Sequence, residues 1–195
     1  ELRISNFENY RVSKDAQRVT VYKHEAQAGV SIDDIADQEY TGAQIKPAVT
    51  VRAEGQVLTE GIDYTVSYGT NKAVGVNSGS VTVKAKENGN YTFANLTKRF
   101  NIVAKAADIT IDDPAAITYD GAPVEAIQSP GTADIVYNYN GDGVVTVAWY
   151  ADRNGAKGDA LGAAPANAGT YWVGVSVAAG TNYGAVAEVI KQVVI

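Results

Sequence analysis

Asp63-Tyr64-Thr65-Val66-Ser67-Tyr68 decides the fold, because Tyr64, Val66 and Tyr68 fall on one side of an extended chain and Asp63, Thr65 and Ser67 on the other. A period of two marks a strand with one buried and one wet face. The same alternation returns in Val81/Val83/Ala85, in Val145/Val147/Trp149 and in Tyr171/Val173/Val175/Val177. Between these runs lie Glu60-Gly61, Asn77-Ser78-Gly79, Asn88-Gly89, Gly141-Asp142-Gly143 and Asn154-Gly155, which supply residues that tolerate positive φ in tight turns. No segment carries a sustained 3.6-residue apolar stripe. The nearest, Ala94 to Phe100, is short and is predicted to be a turn running into a strand. Antiparallel sheets with one apolar face need a second sheet to cover it, so the pattern predicts an all-β chain of Ig-like β-sandwich domains. A smaller β-grasp-like domain with one short helix is the alternative.

Larger recurrences set the domain plan. Asn9-Tyr10, Asn90-Tyr91 and Asn182-Tyr183 lie 81 and 92 residues apart, each shortly before an alternating strand. Between them Ser31-Ile32-Asp33-Asp34 leads to Tyr40-Thr41-Gly42, just as Thr110-Ile111-Asp112-Asp113 leads to Tyr119-Asp120-Gly121. Such repetition predicts two tandem β-sandwich repeats, residues 29–104 and 105–195. The junction Ala104-Lys105-Ala106-Ala107 has no Gly or Pro run, so a restricted angle between the repeats is expected. At the offset of 81, Val19 and Val21 fall on Phe100 and Ile102, so residues 1–28 read as N-terminal strands, the tail of a preceding repeat. Glu1 in first place suggests a trimmed chain.

Composition excludes several classes of function. The chain has 195 residues, a formal net charge of −6 and no cysteine, so no disulfide, thiolate nucleophile or thiolate metal ligand exists. Phosphate binding calls for a basic stripe, and none is visible, so no nucleic acid partner is expected. No apolar run approaches the ~18 residues of a membrane span, and no membrane insertion is expected of this fragment.

The string Tyr40-Thr41-Gly42, Ile45-Lys46-Pro47, Val49-Thr50-Val51, Leu58, Gly61-Ile62-Asp63-Tyr64-Thr65-Val66-Ser67-Tyr68, Asn71, Gly79, Val81-Thr82-Val83 and Gly89-Asn90-Tyr91-Thr92 closely resembles the MBG-type, or Tyr-Asp-Gly, repeats of large bacterial surface proteins. Tyr119-Asp120-Gly121, Trp149-Tyr150, Ala168-Gly169-Thr170-Tyr171 and Gly180-Thr181-Asn182-Tyr183 look like a more divergent member. The second repeat departs over Asp152 to Ala166, which is longer and richer in Gly and Ala. The resemblance implies an extracellular location on the bacterial cell surface or cell wall, and a non-catalytic stalk or adhesion role. It implies neighbouring repeats as partners, with a host or matrix protein or a glycan as further candidates. It supplies no catalytic residues.

Candidate chemistry is sparse. The single histidine, His24, lacks a nucleophile setting and reads as a solvated strand residue, so no enzyme activity is expected. Asp33-Asp34 and Asp112-Asp113 occupy matching places, which favours a structural turn; calcium at the junction is the alternative. Asn138-x-Asn140-x-Asp142-Gly143 opens like an EF-hand loop but places Trp149 where the bidentate Glu belongs, so it reads as a polar hairpin. Lys98 and Lys191 lie near closing strands, where some surface sandwiches carry Lys–Asn amide bonds, yet no Asn and acid can be matched to them by spacing. No cofactor and no metal site is expected.

Aromatic parity gives the one candidate contact surface. Trp149 and Tyr171 share the inward side with the valines, whereas Tyr150 and Trp172 face the opposite way. At the 92-residue offset Trp172 falls on Ser80, so the scaffold itself does not call for an aromatic there. An exposed Trp beside an exposed Tyr can stack on a sugar, join a protein contact, or pack within the chain. A carbohydrate-binding accessory domain of a larger surface glycanase is therefore the alternative function, with Tyr150 and Trp172 as its platform.

Overall fold

The computed structural model of the chain describes residues 29–195 and the strand pairing of His24–Glu25. The expected N-terminal strands at 1–28 lie outside the described residues, apart from that pair. Everything described is strand, turn or irregular structure, and the β-grasp alternative is left without its helix. The segment from Ala94, read as a turn entering a strand, becomes β9 (Leu96–Val103).

The chain divides into two compact units. The first contains the described residues up to Asp34 with Ala48–Ser67 and Thr82–Thr97; the second contains Ile35–Pro47, Tyr68–Val81 and Lys98–Ile195. In the first unit β2 (Val30–Ile32), β4 (Val51–Ala53) and β5 (Gln56–Val57) form an antiparallel sheet, and β1 (His24–Glu25) pairs with β8 (Tyr91–Thr92). Its core is Val51, Ala53, Leu58, Tyr64 and Val83, flanked by Val30, Ile32 and Phe93. The parity read from Tyr64 onward explains this: alternate residues of β6 (Tyr64–Tyr68) and β7 (Gly75–Ala85) turn inward. The sheet β3-β9-β7-β6, with β3 spanning Gln38–Glu39, has long strands that contribute residues to both units.

In the second unit, one sheet has the order β10-β12-β11, from β10 (Asp108–Ile111), β11 (Ala126–Gln128) and β12 (Ile135–Asn140). The other has the order β14-β13-β15-β16, from β13 (Val145–Arg153), β14 (Ala156–Leu161), β15 (Thr170–Val177) and β16 (Val186–Val194). β10 packs on β15 and β16, and the two sheets share a core of Ile109, Ile111, Ile135, Tyr137, Trp149, Val173, Val175 and Val193. This is sandwich packing, two apolar sheet faces closing on each other. Trp149 is 7% exposed, the inward position its parity predicts, whereas Tyr171 at the start of β15 is only half-buried.

Two expectations are corrected. Sheets expected to be antiparallel include parallel pairs, β1 with β8, β3 with β9 and β11 with β12. β3 meets β9 only after most of the first copy has intervened, whereas β11 and β12 pair in parallel across residues 129–134 alone. Asn77-Ser78-Gly79, read as a turn, lies inside β7: Asn77 has φ 52°, its amide donates to Asn101 Oδ1 at 2.9 Å, and the Phe100 ring covers Gly79 so closely that a Cβ would meet it at 2.4 Å. The left-handed residue kinks the strand as a bulge does instead of ending it.

Two of the recurring marks, Asn90-Tyr91 and Asn182-Tyr183, share one piece of local chemistry; Asn9-Tyr10 lies outside the described residues. In the first copy Asn90 Nδ2 donates to Asp63 Oδ1 at 2.8 Å, and Asp63 Oδ2 accepts from the Thr59 amide at 2.8 Å. In the second, Asn182 donates through its amide and its Nδ2 to Asp142 Oδ2 at 2.9 and 2.8 Å, while the Tyr183 amide reaches Oδ1 at 3.1 Å. A glycine precedes each mark at the point of closest approach: a Cβ on Gly89 would lie 2.5 Å from Ile62 O, and one on Gly180 2.0 Å from Asp142 Oδ1. Asp63 therefore departs from its parity. It shares a side with wet Thr65 and Ser67 yet is 6% exposed, its charge satisfied by this clasp.

Burial sets the worth of each clasp. Asn90→Ala leaves a buried carboxylate short of a donor and is expected to cost about 1–3 kcal/mol. Asn182→Ala, beside an exposed Asp142 that water can solvate, is expected to cost less than about 1 kcal/mol. Urea unfolding of the two variants checks this order, and equal losses would contradict it.

Candidate functional site

Antiparallel pairing of β13 with β15 sets Tyr150 directly opposite Trp172, on the sheet face away from the core. Sequence parity had placed both there; it had not placed what surrounds them. The Trp172 indole N–H donates to Asp152 Oδ1 at 2.9 Å, and the Gly155 amide donates to Asp152 Oδ2 at 2.9 Å. The Tyr150 hydroxyl donates to Glu188 on β16, Lys157 on β14 pairs with the same carboxylate, and the Lys157 Nζ stands 3.8 Å from the Tyr150 ring centroid. The divergent segment from Asp152 onward supplies Asp152, Gly155 and Lys157 to this cluster. Asn154 and Gly155 take φ values of 53° and 82°, reversing the chain so that β14 returns along β13 with Lys157 against Asp152 in register.

The electrostatics keep every charged member charged. Hydrogen bonds, first from the Gly155 amide and then from the Trp172 indole, hold Asp152 below the usual 3.8 of an aspartate. Partial burial pushes the Glu188 carboxyl upward, but the donors Lys157 and Tyr150 outweigh it and bring its pKa below 4.5. The hydrogen bond to Glu188 raises Lys157 above 10.5. With the polar atoms of both aromatic residues given to carboxylates, and one ring face of Tyr150 under an ammonium, the cluster ties β13, β14, β15 and β16 together.

The other acids named from the sequence have structural partners. Asp33 accepts from Arg52 Nε at 3.0 and 3.1 Å, and Asp112 accepts from Asn138 Nδ2 at 3.0 Å. Asp113 pairs with Lys191, one of the two lysines considered for an amide bond. In the EF-like string Asn140 Oδ1 accepts from the Asp108 amide at 2.7 Å, and Asp142 forms the clasp. Among the described residues no three His, Cys, Asp or Glu side chains group to hold a metal. A depression of about 340 Å³ lies beside Ile117, Thr118, Asp120, Val124, Asp134 and Ile195. Its two carboxylates each accept a backbone amide, Ala122 N at 2.8 Å and Glu125 N at 2.9 Å. The side chain of His24 lies outside the described residues.

A second arrangement occurs at His24–Glu25 and again at Lys105. His24 pairs in parallel with Tyr91 and Glu25 with Thr92, and Lys105 pairs in parallel with Tyr183. At Lys105 the amide donates to Asn182 O at 2.9 Å and the carbonyl accepts from Gly184 N at 2.8 Å. His24 and Lys105 are 81 residues apart, the offset already seen between the first two Asn-Tyr marks. The residue leading into each copy thus lies along that copy's Asn-Tyr loop. Tyr183 also meets the Tyr40 ring edge-on, with centroids 5.9 Å apart at 75°. Their partners Tyr91 and Tyr183 are 92 residues apart, so no single offset carries one pairing onto the other.

Because Asp152 and Glu188 are both held below their usual values, their stabilisation is complete above about pH 4.5 and is lost as the pH falls through the lowered values. The double variant Asp152→Asn/Glu188→Gln is expected to flatten the acid limb of a urea-midpoint-against-pH curve. An unchanged limb would show that the cluster does not couple to folding. Comparison with protein-family models, with curated proteins and with solved structures found no match to this chain.

Proposed function

We propose that the chain is a non-catalytic stalk or adhesion segment of a secreted or cell-wall-attached bacterial surface protein. Its MBG-type, Ig-like repeats are residues 29–104 and 105–195, following the tail of another at 1–28. The observation that supports this reading is the joint used twice, His24 against Tyr91 and Lys105 against Tyr183. A connector that only tethers needs no fixed register. One that pairs through backbone hydrogen bonds loses the freedom of its φ and ψ angles, and the direction of the next repeat is set with it. Each added repeat then adds length in a set direction.

The accessory carbohydrate-binding reading keeps Tyr150 and Trp172 as its platform. Their polar atoms already serve carboxylates of the same sheet, which favours packing within the chain. Lys105→Pro removes the amide that donates to Asn182 and is expected to broaden the distance distribution between spin labels placed on cysteines introduced into each repeat, with the urea midpoint nearly unchanged. An unbroadened distribution would contradict the joint's role. Specific glycan-array binding abolished by Trp172→Ala would favour the accessory reading over the stalk.

A further inference from the structure

Tyr40 and Tyr119 head the same turn. Gly42 and Gly121 take φ values of 76° and 81°; Thr41 Oγ1 accepts from the Ala43 amide at 3.3 Å, and Asp120 Oδ1 from the Ala122 amide at 2.8 Å. In both, the tyrosine hydroxyl stands 3.9 Å from where a glycine Cβ would be. The surroundings of the two rings differ. Tyr40 is half-buried with Tyr183 edge-on against it, whereas Tyr119 is 58% exposed, and its chain neighbours Thr118 and Asp120, not Tyr119 itself, line the depression. Residue by residue, Tyr119 is the Tyr40 of the second copy without its Tyr183.

We infer that Tyr119 and the adjoining depression form a docking surface for one occupant, the Asn-Tyr loop of a further repeat of the same kind placed after Ile195. The inference rests on the stalk reading and names its contact. The loop is suited to the task, because its shape is fixed before docking: Asp142 holds Asn182 and Tyr183, and Gly180 N donates to Tyr183 O at 2.9 Å. A loop already ordered loses little entropy on binding. An edge-to-face tyrosine pair adds attraction beyond area burial. The linker supplies the remainder by pairing with its own loop, as Lys105 does, which brings Tyr183 over Tyr40.

The backbone gives the register for a test. The Tyr40 amide donates to Val103 O at 2.9 Å and the Ile117 amide to Val194 O at 3.0 Å. Since Ile117 precedes Tyr119 by two residues, Val194 matches Asn101 and Ile195 matches Ile102. The full chain is therefore extended after Ile195 with its own residues Val103–Ile195, carrying Tyr119→Phe in the added copy so that only the original ring is read. Tetranitromethane nitration is followed by peptide mass spectrometry, with Tyr40 as the internal standard of a folded joint. In the unextended chain Tyr119 is expected to react several-fold faster than Tyr40. In the extended chain it is expected to slow to the Tyr40 rate, and Tyr183→Ala in the added copy should restore the fast rate.

An unchanged Tyr119 rate in the extended chain, with Tyr40 still protected, overturns the docking surface. Protection that persists with Tyr183→Ala overturns the named contact. Small-angle scattering separates these failures from failure of the stalk reading. A longer particle with Tyr119 still reactive removes only the docking surface, whereas a particle that does not lengthen removes both.

Discussion

Two backbone segments lying side by side, a linker and an Asn-Tyr loop, are the constraint on which the arrangement depends. A loop of this kind exposes amides and carbonyls that need partners, and here they find them on two sides. Asp63 or Asp142 takes the side chain of the asparagine, and His24–Glu25 or Lys105 lies along the outer strand edge. Where the partner is buried, as Asp63 is, leaving it unpaired is costly, and the loop there keeps one conformation. A glycine at each site allows the contact by leaving room for the carboxylate or its neighbouring backbone.

The cores impose a second constraint that is independent of the first. Valines of β15 and the Trp149 ring fill the space between two sheets in the second unit, while Val51, Leu58, Tyr64 and Val83 do so in the first. With no cysteine in the chain, cohesion comes from this burial and from polar ties across the sheets. The outer cluster of Tyr150, Asp152, Lys157, Trp172 and Glu188 is such a tie. It joins four strands through charged hydrogen bonds on the face away from the core.

The two copies of the recurring sequence marks are accompanied by different amounts of chain between their strands. β6 passes to β7 through a short loop in which Asn71 is buried, its Nδ2 donating to Ile45 O at 2.9 Å and Ser80 O at 3.0 Å. In the second copy the corresponding passage from β13 to β15 is occupied by β14. Trp172 stands where the first copy has Ser80, and the inserted hairpin provides its partner, Asp152. An aromatic residue without a counterpart in the first copy thus goes with an element that also has none.

Alternation of polar and apolar residues was enough to determine that the chain is all-β, that Trp149 turns inward and that Tyr150 and Trp172 turn outward, because a strand's two faces are fixed by its own pleat. The recurrence of Asn-Tyr likewise marked where related loops would fall. Tertiary structure alone decided which polar residues would meet. Asn90 and Asp63 are 27 residues apart, Tyr150 and Glu188 38, and Asn182 and Asp142 40. No local period links such pairs, since their meeting depends on sheet order and register, which are set only when distant strands have paired. For the same reason Asp63 reads as a wet residue and Asn77-Ser78-Gly79 as a turn: the Asn90 side chain and the Phe100 ring that account for them arrive from a distant loop and a distant strand.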